Sequence, residues 1–201
     1  MRIFRQGPGP HALTLAMAGV RLGERVLDVG ASGAALFAEI AGKVGLTGRA
    51  CAVVGSEASA VRVKAAAAKA GVLVEVEVAS WPSLPVGDGE FDVAVLDETG
   101  GMLAGLDEGT RVGLARETLR ALRDGGRVLV VEQERRGWLA GLAARPTSGA
   151  GFREQGGPRA MLELAGFAPV RVLAEREGKR FTEGWKAVSR RQEAKEGEWV
   201  G

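Results

Sequence analysis

Short apolar runs and helical stripes alternate along most of the chain. Residues 25–30, "RVLDVG", form a brief buried-strand run, and in "AALFAEIAGKV" (34–44) Leu36, Ile40 and Val44 recur at i, i+4 and i+8 on one helical face. "RACAVV" (49–54) predicts a second strand, and "ASAVRVKAAAAKAG" (58–71) a helix that Gly71 stops as a C-cap. "VLVEVEV" (72–78) and "FDVAVLD" (91–97) predict two further strands. An amphipathic helix is expected over 108–126, running into a glycine turn, and "RVLVVE" (127–132) closes a fifth strand.

Five strands alternating with helices predict an α/β fold, a parallel sheet with helices on both faces. The chain ends differently. After a last helix at 158–166, two extended runs within 167–190 meet at "EGKR", a tight turn around Gly178, which predicts an antiparallel hairpin. Without repeats or a long linker, residues 1–190 are expected to form one domain, with 1–22 as an N-terminal lid segment and 191–201 as a polar tail.

Composition narrows the function classes. With 201 residues, 46% hydrophobic and 26% charged, the chain is long enough for a sizeable core and reads as globular. Lys and Arg total 27 against 25 acids, a near balance that offers no electrostatic footprint for nucleic acid. The single cysteine, Cys51, falls inside a predicted strand and fits a reducing cytoplasm. No apolar run approaches the roughly 20 residues needed to span a bilayer, and no secretory h-region is expected at the N-terminus. Nor is there a Cys/His cluster for a metal, a phosphate-binding glycine loop, or a nucleophile elbow for a hydrolase.

The candidate chemistry starts in "VLDVGASGAALFAEIAGKVG" (26–45), a strand that ends in a small-residue turn and opens a helix. Together with "LPVGDGEFDVAVLD", "LRALRDGGRVLVVE" and the terminal "AGFAPVRVLAEREGKRFTEGWKAV", it resembles the class I S-adenosylmethionine (SAM) dependent methyltransferases, specifically the small quinone-biosynthesis-type enzymes. The four stretches keep the family's order over roughly residues 20–190. The resemblance implies a Rossmann-like methyltransferase fold. Its mostly parallel seven-stranded sheet carries an antiparallel C-terminal hairpin, and SAM lies across the carboxyl ends of the first strands.

In that family an acid-x-Gly-x-Gly-x-Gly run holds the cofactor against bare backbone; here it reads Asp28, Gly30, Ser32, Ala34, with Ala31 and Gly33 between. Asp28 is expected to hold the amino acid end, unless it only caps the turn. The acid that grips the ribose at the end of the second strand aligns with Val54, which also reads as ordinary strand packing, followed by Gly55; Glu57 lies three residues on and substitutes only if the loop folds back. Ser80 stands where an Asp usually meets adenine, with Trp81 beside it either to touch adenine or to plug the sheet edge. Each lost polar contact is worth about 0.5–1.5 kcal/mol.

After the fourth strand, "LDETGG" (96–101) offers Asp97 to the cofactor's amine and Glu98 as a base. It reads equally as a helix N-cap. His11, the only histidine, is a third catalytic candidate: the lid segment places it over the mouth of the pocket, although a lone histidine at a helix start is more often a surface residue. Glu132 and Glu134 are placed toward the mouth, although Glu134 reads more readily as part of a solvated loop; Trp138, Leu139 and Leu142 are candidates for an apolar entrance, or equally for a small helix packed on the body or a subunit contact. Two functions follow. One is SAM-dependent methyl transfer to a small-molecule substrate. The alternative is a catalytically inactive methyltransferase-fold protein that serves as a binding or assembly module for a protein partner. Nicotinamide dinucleotide binding fares worse, because its G-x-G-x-x-G fingerprint is incomplete.

Overall fold

The computed structural model describes residues 9–133 and 149–189. Glu134, Trp138, Leu139, Leu142, the first eight residues and the tail from 190 onward lie outside the described residues.

Side-chain alternation decides which face each strand serves. β1 (Arg25–Val29) sends Leu27 and Val29 to one side and Val26 to the other, all fully buried. Leu27 and Val29 join a core with Leu114 of α4 (Glu108–Ala121) and Leu162 of α6 (Gly157–Ala165). Val26 joins a second core with Phe37 and Ile40 of α2 (Ala34–Val44) and Val63 of α3 (Glu57–Ala70). Both faces of β1 are therefore dry, which is why Val26, Leu27 and Val29 are all apolar where a half-solvated strand would alternate with polar residues.

The remaining strands are β2 (Arg49–Val54), β3 (Glu75–Val78), β4 (Phe91–Asp97), β5 (Leu122–Gln133), β6 (Val170–Arg176) and β7 (Lys179–Trp185). They form one seven-stranded sheet in the order β3-β2-β1-β4-β5-β7-β6. Neighbours among the first five are parallel. β7 slots between β5 and β6, antiparallel to both. The hairpin turn is two residues long, Glu177 and Gly178, both left-handed (φ +54° and +70°), the backbone that matches the twist of paired strands. The Rossmann-like architecture expected from the sequence is the one observed.

Two boundaries differ. The strand predicted over 72–78 begins only at Glu75, since the Val72 amide is still bonded to the Ala67 carbonyl at the end of α3. The helix predicted over 108–126 ends at Ala121, and Leu122 is already extended (φ −75°, ψ 141°). Leu122 pairs with Phe91, and the register then jumps to Val93 opposite Arg127. A fully buried leucine at a strand start, followed by the poor helix formers Gly125 and Gly126, outweighs the helical periodicity.

α1 (Ala12–Ala18) docks on the body: Arg127 donates to the carbonyls of Ala18 and Gly19, and Lys179 Nζ lies 3.2 Å from the buried Thr14 hydroxyl. α5 (Gly149–Glu154) lies between β5 and α6 in the chain. Among the described residues, no helix is long and apolar enough to cross a membrane.

Candidate functional site

The carboxyl ends of β1 and β4 lie side by side, and each carries an acid. Asp28 is 1% exposed; its Oδ1 accepts from the Ala31 amide at 3.1 Å and closes the turn after β1. That turn holds two successive left-handed residues, Gly30 at φ +97° and Ala31 at φ +39°. Gly30 tolerates this backbone without a Cβ clash, and its amide donates to the Val53 carbonyl at 2.9 Å. Asp28 Oδ2 is buried and has no hydrogen-bond partner. Burial first, and the Asp97 charge second, hold the Asp28 carboxyl well above the usual carboxylate range.

Asp97 is also 1% exposed and fully engaged. Its Oδ2 accepts from the Gly33 amide at 2.7 Å, and its Oδ1 accepts from the Thr99 amide at 3.0 Å and from the Thr99 hydroxyl. The Ser32 hydroxyl donates to its carbonyl at 3.1 Å. Gly33 is the N-cap of α2, so a carboxylate from β4 sits at that helix's positive end. A Cβ on Gly33 would stand 3.0 Å from Asp97 Oδ2, so this close approach uses the glycine. The N-cap reading of "LDETGG" is realised as a 3-10 turn, Glu98–Gly100, rather than an α-helix.

Glu98 is 7% exposed and turns back on its own loop: its two oxygens accept from the amides of Leu103 (2.5 Å) and Ala104 (2.9 Å). Burial raises its pKa, those two amides oppose the rise, and the charges of Glu132 and Asp97 add to it. Glu132, buried at the end of β5, thus joins Asp28, Asp97 and Glu98 in a cluster of four buried acids. Among the described residues no group of His, Cys, Asp and Glu could hold a metal ion.

The other end of the predicted cradle is apolar. Val54 is wholly buried in the α2–α3 core, and its carbonyl accepts from Ala79. Ser56 caps α3, which leaves Glu57 exposed in the first helical turn instead of folded back on the strand end. Ser80 is exposed. Trp81 is half-buried, and its indole edge lies 3.4 Å from where a Cβ on Gly55 would be, so it covers the backbone at the end of β2. His11 pairs through Nδ1 with Glu39 Oε1 of α2 at 2.7 Å; the structure joins it to that helix and not to the Asp28–Asp97 pair.

Two residues escaped the sequence reading. Arg111, 6% exposed, donates to the carbonyls of Leu103 (3.4 Å) and Leu106 and to Gln155 Oε1 (2.6 Å), and lies over the Phe152 ring. It pins the loop after β4 to α4 and α5. Its signal was present: 111, 114, 115 and 118 form the buried stripe of α4, and a cation on such a stripe needs partners. Met102 has no periodic signal, coming after two glycines. Its sulfur stands 3.0 Å, and its methyl 3.4 Å, from where a Cβ on Gly30 would be. A cavity of about 440 Å³ opens at the opposite, amino-terminal end of β2 and β3; Val44, Leu46, Val72 and Leu73 line it, and none of the residues above does.

Comparison with known proteins bears on this arrangement. Residues 26–126, half of the chain, match the family model of a methyltransferase domain. No curated protein matches the chain by sequence. Among solved structures, a SAM-dependent methyltransferase from Aquifex aeolicus is similar with a TM-score of 0.67 at 20% identity, over 89% of this chain and 94% of that one. A SAM-dependent O-methyltransferase from Thermotoga maritima is similar with a TM-score of 0.62 at 16% identity, over 94% and 68%. The cyclase SpnF shares the fold as well, with a TM-score of 0.62 at 18% identity over 88% and 79%. At these identities the likeness speaks for the fold.

Proposed function

The chain belongs to the methyltransferase-domain family, among the class I SAM-dependent methyltransferases, and from that premise we propose that it passes the methyl group of SAM to a small-molecule acceptor. The observation that carries the proposal is Asp28: a buried carboxyl beside a left-handed glycine turn, with one oxygen closing the turn and the other unpaired.

The residues fit the cofactor at its methionine end. SAM is a sulfonium that also bears an ammonium, and four buried acids favour a cation there. Asp28 Oδ2 is free to accept from the ammonium, and the Gly30–Gly33 backbone can lie against the amino acid portion. At the nucleoside end no acid grips the ribose, because Val54 is packed inside; the Gly55 backbone and the Trp81 indole remain. SAM supplies, when bound, a methyl group on a good sulfur leaving group.

What this chain adds is positioning. Asp97 and Glu98 spend their oxygens on backbone amides, so their role is to fix the loop that faces the cofactor turn, and catalysis rests on orientation. The quinone-biosynthesis-type resemblance carries the acceptor class into the same proposal, as does the near balance of charge, which disfavours nucleic acid. The second reading, a binding or assembly module, is favoured by Val54, which is packed inside, and by Ser80, which stands exposed where the family's adenine acid would be. Incubation with methyl-labelled SAM and a cell extract separated into low-mass, protein and RNA fractions tests the proposal. A labelled low-mass product distinct from SAM and absent without the protein is expected. Label transferred only to protein or RNA overturns the acceptor, and no transfer out of SAM favours the module.

A further inference from the structure

We propose that Met102 is a displaceable thioether cover over the cofactor turn, and that it sets how tightly this chain holds SAM; the proposal rests on the SAM reading above. A Cβ built on Gly30 would meet Met102 Sδ at 3.0 Å and Cε at 3.4 Å, before any other side chain. The bare face of the turn, which a nucleotide-like ligand needs, is therefore covered by the end of one long flexible side chain.

The backbone that carries Met102 is held from both sides. Ahead of it, Gly101 (φ +75°) donates to the Glu98 carbonyl at 2.9 Å. Behind it, the Leu103 and Ala104 amides donate to the Glu98 carboxylate, and Arg111 holds the Leu103 and Leu106 carbonyls. Leu103 is fully buried. Anchored on both flanks, this loop cannot withdraw easily, but the methionine side chain has three rotatable bonds and swings without disturbing it. Its sulfur and methyl occupy this place as a neutral thioether, whereas the methionine portion of SAM would bring a sulfonium and an ammonium to the same buried acids. Cover and cofactor compete for one surface, so the side chain's departure is part of the cost of binding.

The affinity of the whole chain for S-adenosylhomocysteine, the demethylated form of SAM, tests this by isothermal titration on the wild type, Met102→Ala and Met102→Ile. Circular dichroism and thermal melts of the three proteins verify that each is folded. Removing the cover is expected to tighten binding about three- to tenfold in Met102→Ala. The stiff branched side chain of Met102→Ile is expected to weaken it by a similar factor. Unchanged affinity in Met102→Ala overturns the proposal, and weaker binding overturns it by making Met102 a floor under the ligand. If neither the wild type nor Met102→Ala binds, the SAM reading itself fails with it. Binding by Met102→Ala alone supports the cover in its strongest form.

Discussion

At Asp28 the fold keeps a carboxyl group out of water and leaves one oxygen unpaired, an arrangement that opposes folding at neutral pH. In the unfolded chain an aspartate titrates near about 3.9; in the folded protein burial raises that value. Between the two, the folded state binds more protons, so stability falls as pH rises through this window and the penalty is complete above it. Asp28→Asn keeps the acceptor for Ala31 and removes the charge. It is expected to melt higher than the wild type at pH 7, by about 2–4 °C for each kcal/mol relieved. The gap should close as pH falls toward the unfolded value; scanning calorimetry across pH reads both. A gap independent of pH would mean that Asp28 is not the titrating group. Asp28 and Gly30 were legible in the sequence because strand, acid and glycine are adjacent. Met102 was not, because its contact with Gly30 spans 72 positions and depends on the loop after β4.

At the scale of elements, the site is a clamp between β1 and β4. Asp97 joins the N-cap of α2 to the turn after its own strand, and its loss leaves the Gly33 and Thr99 amides without their acceptor. Asp97→Ala is expected to lower stability by about 1–3 kcal/mol, read as a lower denaturation midpoint with unchanged slope. The sequence placed Asp97 at the right strand end, yet only the sheet order, with β1 beside β4, reveals that it reaches Gly33. Val54 behaves in the opposite way. Since it is wholly buried in the α2–α3 core, Val54→Asp places a carboxylate where there is no water. It is expected to lose about 2 kcal/mol or more without ligand and to regain part of that with SAM, as compared by melts with and without it. A mutant as stable as the wild type would show that the strand end opens more readily than its packing implies. The helix that stops at Ala121 shows the limit of periodicity: α4 keeps a helical stripe up to its end, but Leu122 has a better partner in Phe91.

The whole molecule keeps its chemistry at one end of the sheet. Four of the five buried acids among the described residues, Asp28, Asp97, Glu98 and Glu132, stand on or just after the carboxyl ends of β1, β4 and β5; the fifth, Glu183, lies on β7, and the 440 Å³ cavity is at the other end. The alternation of elements was readable in advance because β1, β2 and β4 are short runs dominated by apolar residues, and the closing hairpin because Gly178 marks its turn. The long-range pairing of β7 between β5 and β6 came from the family resemblance rather than from periodicity. His11 was expected over the mouth; its pairing with Glu39 follows from how α1 packs on α2, which no local pattern encodes. The central claim, that an adenosyl ligand lies against the Gly30 turn under the charge of Asp28, is tested most directly by titrating SAM into the wild type and Asp28→Asn in parallel. Saturable heat in the wild type, with affinity at least about tenfold weaker in the mutant, is the predicted result. No heat in the wild type at high micromolar SAM, or equal affinity in both proteins, would contradict it.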